Sequence, residues 1–220
     1  MRNKKLIAIA LLSVTAYTAS AQTTPAQIAK QGLDGKIAPC SSCHGQNGGG
    51  NPAAGFPRLS GLGETYINEQ LNAFADGARK NAVMMPIASA LSTNQRMAMS
   101  RYYSEQAVQP AKTAAADAEK IPEVGTELAE HGRWADDIPA CVQCHGSAGV
   151  GVGDRFPALA GQPAAYIEAQ LRAWRNGKRP GGPMGLMASV AAKLNDKDIA
   201  PVAAYFAAQT PASHKGGDHE

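Results

Sequence analysis

Tyr66, Ile67, Leu71 and Phe74, with Gln70 between them, recur at helical spacing and set an apolar stripe along one face of a helix that Gly77 ends. The same order returns as Tyr166-Ile167-x-x-Gln170-Leu171, followed by Gly177-x-Arg179 where the first copy has Gly77-x-Arg79. Shorter helices are predicted from Pro25 towards Gly32 and from Val124 to His131. Ser92-Thr93-Asn94-Gln95 reads as a capping box, so a helix starts there and runs through Met97 and Tyr102-Tyr103 to close near Gln106. Its counterpart runs from Asp196 to Gln209 and carries Tyr205-Phe206. Tyr66 and Phe74 are expected to pack in the core. The long-range repetition predicts an all-α chain of two tandem domains rather than one continuous core.

The boundaries follow from composition. Arg2, Lys4 and Lys5 precede an apolar run from Leu6 to Leu12, and Ala19-Ser20-Ala21 has the small-residue form of a cleavage site. Residues 1–21 therefore read as a secretory signal peptide, too short in its apolar run to span a bilayer of roughly 20 residues' helix length. The first domain covers 22–108. Residues 109–123, with Ala114 to Ala116, Pro110 and Pro122 but no apolar stripe, are a linker. The second domain covers 124–210, and 211–220 form a polar tail holding His214 and His219.

Charge removes one class of function. The chain has 21 basic and 18 acidic side chains, and residues 1–21 hold three of the basic and none of the acidic, which leaves 18 of each. No cationic field of the size nucleic acid demands remains.

The chemistry lies in Cys40-Ser41-Ser42-Cys43-His44 and Cys141-Val142-Gln143-Cys144-His145, which together use all four cysteines. C-x-x-C-H is the attachment signature of c-type haem: two thiols add to the porphyrin vinyl groups and the histidine ligates the iron. An exported chain could instead form disulfides, or a thiol redox site, but neither accounts for two copies each followed by methionines. The axial ligands on one side are thus His44 and His145. The glycines from Gly45 to Gly55 form a loop able to pass close to a flat cofactor edge.

The sixth iron ligand is expected to be methionine, whose thioether raises the reduction potential relative to a second imidazole. Met84 and Met85 precede Pro86 in the first half, in a stretch from Asn81 to Pro86 expected to be a loop, and Met184 and Met187 occupy the matching stretch of the second. Met84 stands eight residues before Ser92 and Met187 eight before Asn195, and both lead into the same apolar pattern, Ile87/Val190 and Leu91/Leu194. Met84 and Met187 are preferred, with Met85 and Met184 as alternatives. Met97 and Met99 belong to the following helix. An axial histidine donates its other ring proton to an outer acceptor, and the carbonyls of Pro57 and Pro157 are the candidates, in the repeated Phe-Pro-x-Leu-x-Gly segments. Two iron centres filled by His and Met favour electron transfer over peroxide or gas chemistry.

In Cys40/Cys43/His44, Phe56-Pro57, Gly61, Tyr66, Gln70-Leu71, Met84 and Tyr102-Tyr103, and in their partners through Met187 and Tyr205-Phe206, the chain resembles the dihaem cytochrome c4 family. The resemblance implies two class I cytochrome c domains, each a small helical fold around one covalent haem with His/Met ligation. It implies a periplasmic electron-transfer protein in a respiratory chain, not an enzyme, passing single electrons from a donor such as a quinol-oxidising complex to a terminal oxidase or another acceptor. Related dihaem proteins serve instead as subunits or partners of periplasmic substrate dehydrogenases, thiosulfate-oxidising systems among them, and that is the alternative.

Overall fold

The computed structural model describes residues 23–108 and 121–212; the expected signal peptide, most of the expected linker and His214 and His219 lie outside the described residues. These residues form ten α-helices, and the only β pairing among them is isolated bridges at turns. No helix among the described residues is long and apolar enough to cross a membrane.

In the first half, α1 (Pro25–Gln31) starts on a Thr24–Gln27 capping box with Pro25 in its first turn, where a missing N–H costs nothing. Then come α2 (Ser41–His44), α3 (Glu64–Ala75), α4 (Met84–Ala90) and α5 (Thr93–Ser104), the last on the predicted Ser92–Gln95 box. The second half repeats them as α6 (Glu123–Glu130), α7 (Val142–His145), α8 (Ala164–Arg175), α9 (Leu186–Lys193) and α10 (Asp196–Ala208). In each half the first helix packs against the last, and the third against both the fourth and the last. The α6–α10 crossing is so tight that a Cβ on Gly125 would fall 2.3 Å from the Pro201 carbonyl oxygen. Only glycine fits that position.

Two separate cores result. Ile28, Ala29, Ile67, Leu91, Met99 and Tyr103 anchor the first, and Leu128, Ile167, Leu171, Leu194, Ile199 and Phe206 the second. The described residues therefore form an all-α fold of two domains. Met99 is in the core and Met97 on the surface.

One local expectation differs. The stretch expected to be a loop up to Pro86 already turns helical at Met84. Asn81 Oδ1 accepts from the Val83 and Met84 amides, at 3.0 and 2.9 Å, and so starts the turn. Pro86 falls within that first turn, where its lack of an N–H removes no intrahelical bond.

The domains meet through the segments that follow each glycine loop. The Arg58 amide donates to Gln162 Oε1 at 3.0 Å, and Gln162 Nε2 donates back to the Arg58 carbonyl at 2.9 Å. The Tyr66 amide donates to the Asp154 carbonyl at 3.1 Å, beside an Arg155–Glu69 ion pair.

Candidate haem centres

Cys40 sits at the N-cap of α2 and Cys43 lies within it, so the two thiols stand three residues apart on one short turn; Cys141 and Cys144 do the same on α7. Residues three apart on a helix are neighbours, as a pair binding two positions of one ring edge must be. All four cysteines are free. Burial raises the Cys40 thiol and pushes Cys141 up to about 11, so at neutral pH neither is the thiolate that a disulfide-exchange centre requires.

His44 ends α2 and is buried; its Nδ1 lies 2.9 Å from the Pro57 carbonyl, and His145 Nδ1 lies 2.8 Å from that of Pro157. A carbonyl only accepts, so Nδ1 carries the ring proton in both bonds and Nε2 keeps its lone pair for a metal. Burial lowers both histidines below their ordinary range, partly offset by these bonds. Neutral imidazole with a fixed tautomer is the form that ligates iron.

The loops around the two rings are held alike. The Gly50 amide donates to the His44 carbonyl at 2.8 Å and the Gly151 amide to that of His145 at 2.6 Å. The Gly48 carbonyl accepts from the Leu59 and Ser60 amides, and the Gly149 carbonyl from those of Leu159 and Ala160. At Gly48 and Gly149 a Cβ would come within 2.7 Å of Tyr103 and 2.5 Å of Phe206, with φ of +72° and +76°. Backbone is thus pressed onto an aromatic of the last helix in each half.

Met84 and Met187 share one register. Each stands four residues before a fully buried alanine, Ala88 or Ala191, and seven before the helix-ending Leu91 or Leu194. Both are half-buried, and Met187 packs on the second core, as does Cys141. Met85 turns its methyl towards Gly77 at the end of α3. Met184 is 88% exposed with a left-handed φ of 55°.

Each half offers a c-type haem its cysteine pair and a histidine with Nε2 left free, and the first half carries a further sign of a missing group. Arg58 Nε and the Tyr103 hydroxyl are buried with no hydrogen-bond partner among the described residues. Arg58 is only 1% exposed, and burial pushes its guanidinium down to about 10. Its Nη2 donates to the Ala160 carbonyl at 3.0 Å and its Nη1 to that of Ser60, both neutral acceptors. Buried polar atoms left over in this way mark a missing group that can accept.

The sequence pattern missed the polar side of the repeat. Tyr66 does more than pack, since its hydroxyl accepts from Arg179 of the other domain at 2.9 Å, and Tyr166 accepts from Arg79 at 3.1 Å. The signal was present in the duplicated Gly-x-Arg and Tyr-x-x-x-Gln spacings, which periodicity alone does not assign to an interface.

Residues 36–111 match the family described as Cytochrome c, and residues 131–206 match Cytochrome C oxidase, cbb3-type, subunit III. The chain is 46% identical to the thiosulfate dehydrogenase electron acceptor of Thiomonas intermedia, covering 94% of this chain and 91% of that protein. It is 36% identical to cytochrome c4 of Pseudomonas aeruginosa, over 78% of this chain and 84% of the other. It also superposes on the solved thiosulfate dehydrogenase of Marichromatium purpuratum with a TM-score of 0.75 and 42% identity. That match covers 84% of this chain and 39% of the solved one, so this chain spans about two-fifths of its length. The expectation that the chain is not an enzyme is corrected by these matches. The same two-domain fold occurs inside a protein solved as a thiosulfate dehydrogenase, and the family extends well beyond free-standing cytochromes c4.

Proposed function

We propose that this chain, which belongs to the two-domain cytochrome c family shared by the cytochromes c4 and the thiosulfate dehydrogenase electron acceptors, is the dihaem electron-accepting component of a periplasmic thiosulfate dehydrogenase. The observation that carries the reading is the likeness to an electron acceptor of that enzyme along nearly the whole of both chains. The alternative raised by the sequence is thus favoured over a general respiratory shuttle.

The residues divide the work as follows. Cys40 and Cys43, and Cys141 and Cys144, anchor one haem c each. His44 and His145 offer Nε2 to the iron, held in place by the Pro57 and Pro157 carbonyls. Met84 and Met187 would supply the second iron ligand of each centre, on the strength of their shared register and burial. Each haem c, when bound, supplies a one-electron iron couple whose potential a thioether ligand raises. The protein's own part is to keep ligation constant between oxidation states and to limit solvent around the rings.

Electrons would leave to a further acceptor, and the match of residues 131–206 to an oxidase subunit supports a terminal oxidase as one outlet. The test is anaerobic mixing of the haem-loaded chain with thiosulfate and a catalytic thiosulfate dehydrogenase, followed at the visible bands of reduced haem. Two electrons taken up per chain support the proposal. A chain that stays oxidised while a small-molecule acceptor in the same mixture is reduced contradicts it.

A further inference from the structure

We propose that Gln162 of the second domain is a positioning residue for the axial histidine of the first, acting through the one peptide between Pro57 and Arg58, so that contact between the domains tunes the first iron centre and not the second. The proposal rests on His44 as an iron ligand and is independent of which protein supplies the electrons.

The Pro57 carbonyl, 2.9 Å from His44 Nδ1, and the Arg58 amide belong to the same peptide unit. That amide donates to Gln162 Oε1 at 3.0 Å. An unbroken chain of hydrogen bonds thus runs from the His44 ring, through one peptide plane, to a side chain of the other domain. Gln162 Nε2 donates back to the Arg58 carbonyl at 2.9 Å. A backbone amide only donates and a carbonyl only accepts, so this pairing fixes which end of the Gln162 amide is the oxygen. Gln162 is 3% exposed, and its own backbone amide donates to the Leu159 carbonyl at 3.0 Å. The Arg58 side chain grips the same segment from the other direction, with Nη2 on the Ala160 carbonyl at 3.0 Å.

Two consequences follow for His44. The peptide is planar, so a partner that fixes the direction of its N–H also fixes the direction of its C=O. Hydrogen bonds in series polarise one another, so acceptance by Gln162 makes the Pro57 carbonyl a stronger acceptor for the ring proton. A stronger bond at Nδ1 makes the imidazole a more basic ligand.

The second centre lacks this link. Ala158 stands where the first domain has Arg58, and Leu62 stands where the second has Gln162. His145 Nδ1 meets the Pro157 carbonyl at 2.8 Å, but a leucine side chain has no acceptor to offer the Ala158 amide. Leu62 belongs to the first core, and Ala158 packs against that core. The contact that is a hydrogen-bonded pair on one side is apolar on the other.

A more basic imidazole favours oxidised iron, so cutting the link should raise the first couple alone. Gln162→Met keeps the length of the side chain and removes both of its hydrogen bonds. In haem-loaded protein, a redox titration followed by NMR at the His44 and His145 resonances, each assigned through its own backbone amide, gives every couple its domain. In Gln162→Met the His44 couple should rise and the His44 Nδ1 proton should move upfield in the reduced protein, with both His145 signals unchanged. Glu69→Gln, which removes the ion pair with Arg155 across the same interface and leaves Gln162 intact, should not move the His44 proton. The proposal is overturned if Gln162→Met leaves the His44 couple in place, lowers it, or shifts both couples equally, or if Glu69→Gln moves the His44 proton as far. A parent whose His44 lacks the ring-current shift of a haem-bound imidazole would remove the ligand assignment itself, and the proposal with it. Should Gln162→Met not load haem, the parent decides. Nitrogen–carbon couplings across the hydrogen bonds should then be seen both from His44 Nδ1 to the Pro57 carbonyl and from the Arg58 amide to the Gln162 side-chain carbonyl, and the absence of either overturns the link.

Discussion

Asp198→Asn tests how far the second domain depends on a bond set that the first lacks. Asp198, 2% exposed in the first turn of α10, accepts from Arg133 Nη1 at 3.0 Å and Nη2 at 2.9 Å, while its Oδ2 also takes the Asn195 amide at 2.9 Å. Asparagine keeps one oxygen for the cap but loses the charge and half the fork. Two charge-assisted bonds are worth about 1.5–3 kcal/mol each. Arg133 is a third exposed and retains Asp136, so part of this is recovered from water and that pair, leaving about 2–3 kcal/mol. For a domain of this size about 1 kcal/mol moves the melting point by roughly 4–8 °C, so a fall of roughly 10–20 °C is expected. Trp134 and Trp174, the chain's two tryptophans, both lie in the second half, where a bound haem would quench their fluorescence until the domain opens. A fluorescence melt therefore reads this domain alone. The Arg133 bonds hold Asp198 below the usual carboxylate range, against the opposing effect of burial. Its folded pKa is depressed, so the stabilisation is present above the ordinary aspartate value of about 3.9 and is lost as pH falls through the lower native value. The gap between parent and variant should close over that acid range. A midpoint change under about 4 °C near neutral pH, or a gap that widens in acid, would refute the reasoning.

Gly149→Ala places a Cβ 2.5 Å from Phe206 at a φ of +76°; left-handed strain of about 1–2 kcal/mol and overpacking of about 1–3 kcal/mol add, and the same tryptophan melt should show the loss. Met184→Gly should do the reverse, since an exposed residue with φ of 55° is relieved by glycine, by about 1 kcal/mol, with the methionine-to-iron band intact. Loss of that band in Met184→Gly would move the ligand assignment from Met187 to Met184.

Much of this architecture was legible because it is written twice. The capping box at Ser92–Gln95, the stripe through Ile67 and Phe74, and the terminal helix from Asp196 all depend on neighbours a few residues away, which local spacing captures. The Pro57 and Pro157 carbonyls were reachable too, because a ligating histidine needs an acceptor and the Phe-Pro segment recurs. The start of α4 at Met84 was not, since it depends on Asn81 capping a turn that contains a proline. The Arg58–Gln162 pair and the crossed arginines join residues about a hundred positions apart, and nothing local distinguishes an interface arginine from a surface one. Arg58 has Ala158 as its counterpart, so even the repeat gave no hint that it would be the most deeply buried cation among the described residues.

The most direct measurement is a spectroelectrochemical titration of the haem-loaded parent, Met84→Ala and Met187→Ala. The parent should show two one-electron couples and a methionine-to-iron charge-transfer band from both haems. Each alanine variant should lose about half of the band, with its own couple falling furthest. A parent without the band, or a Met84→Ala or Met187→Ala protein that keeps all of it, would contradict the pair of His/Met centres on which the account rests.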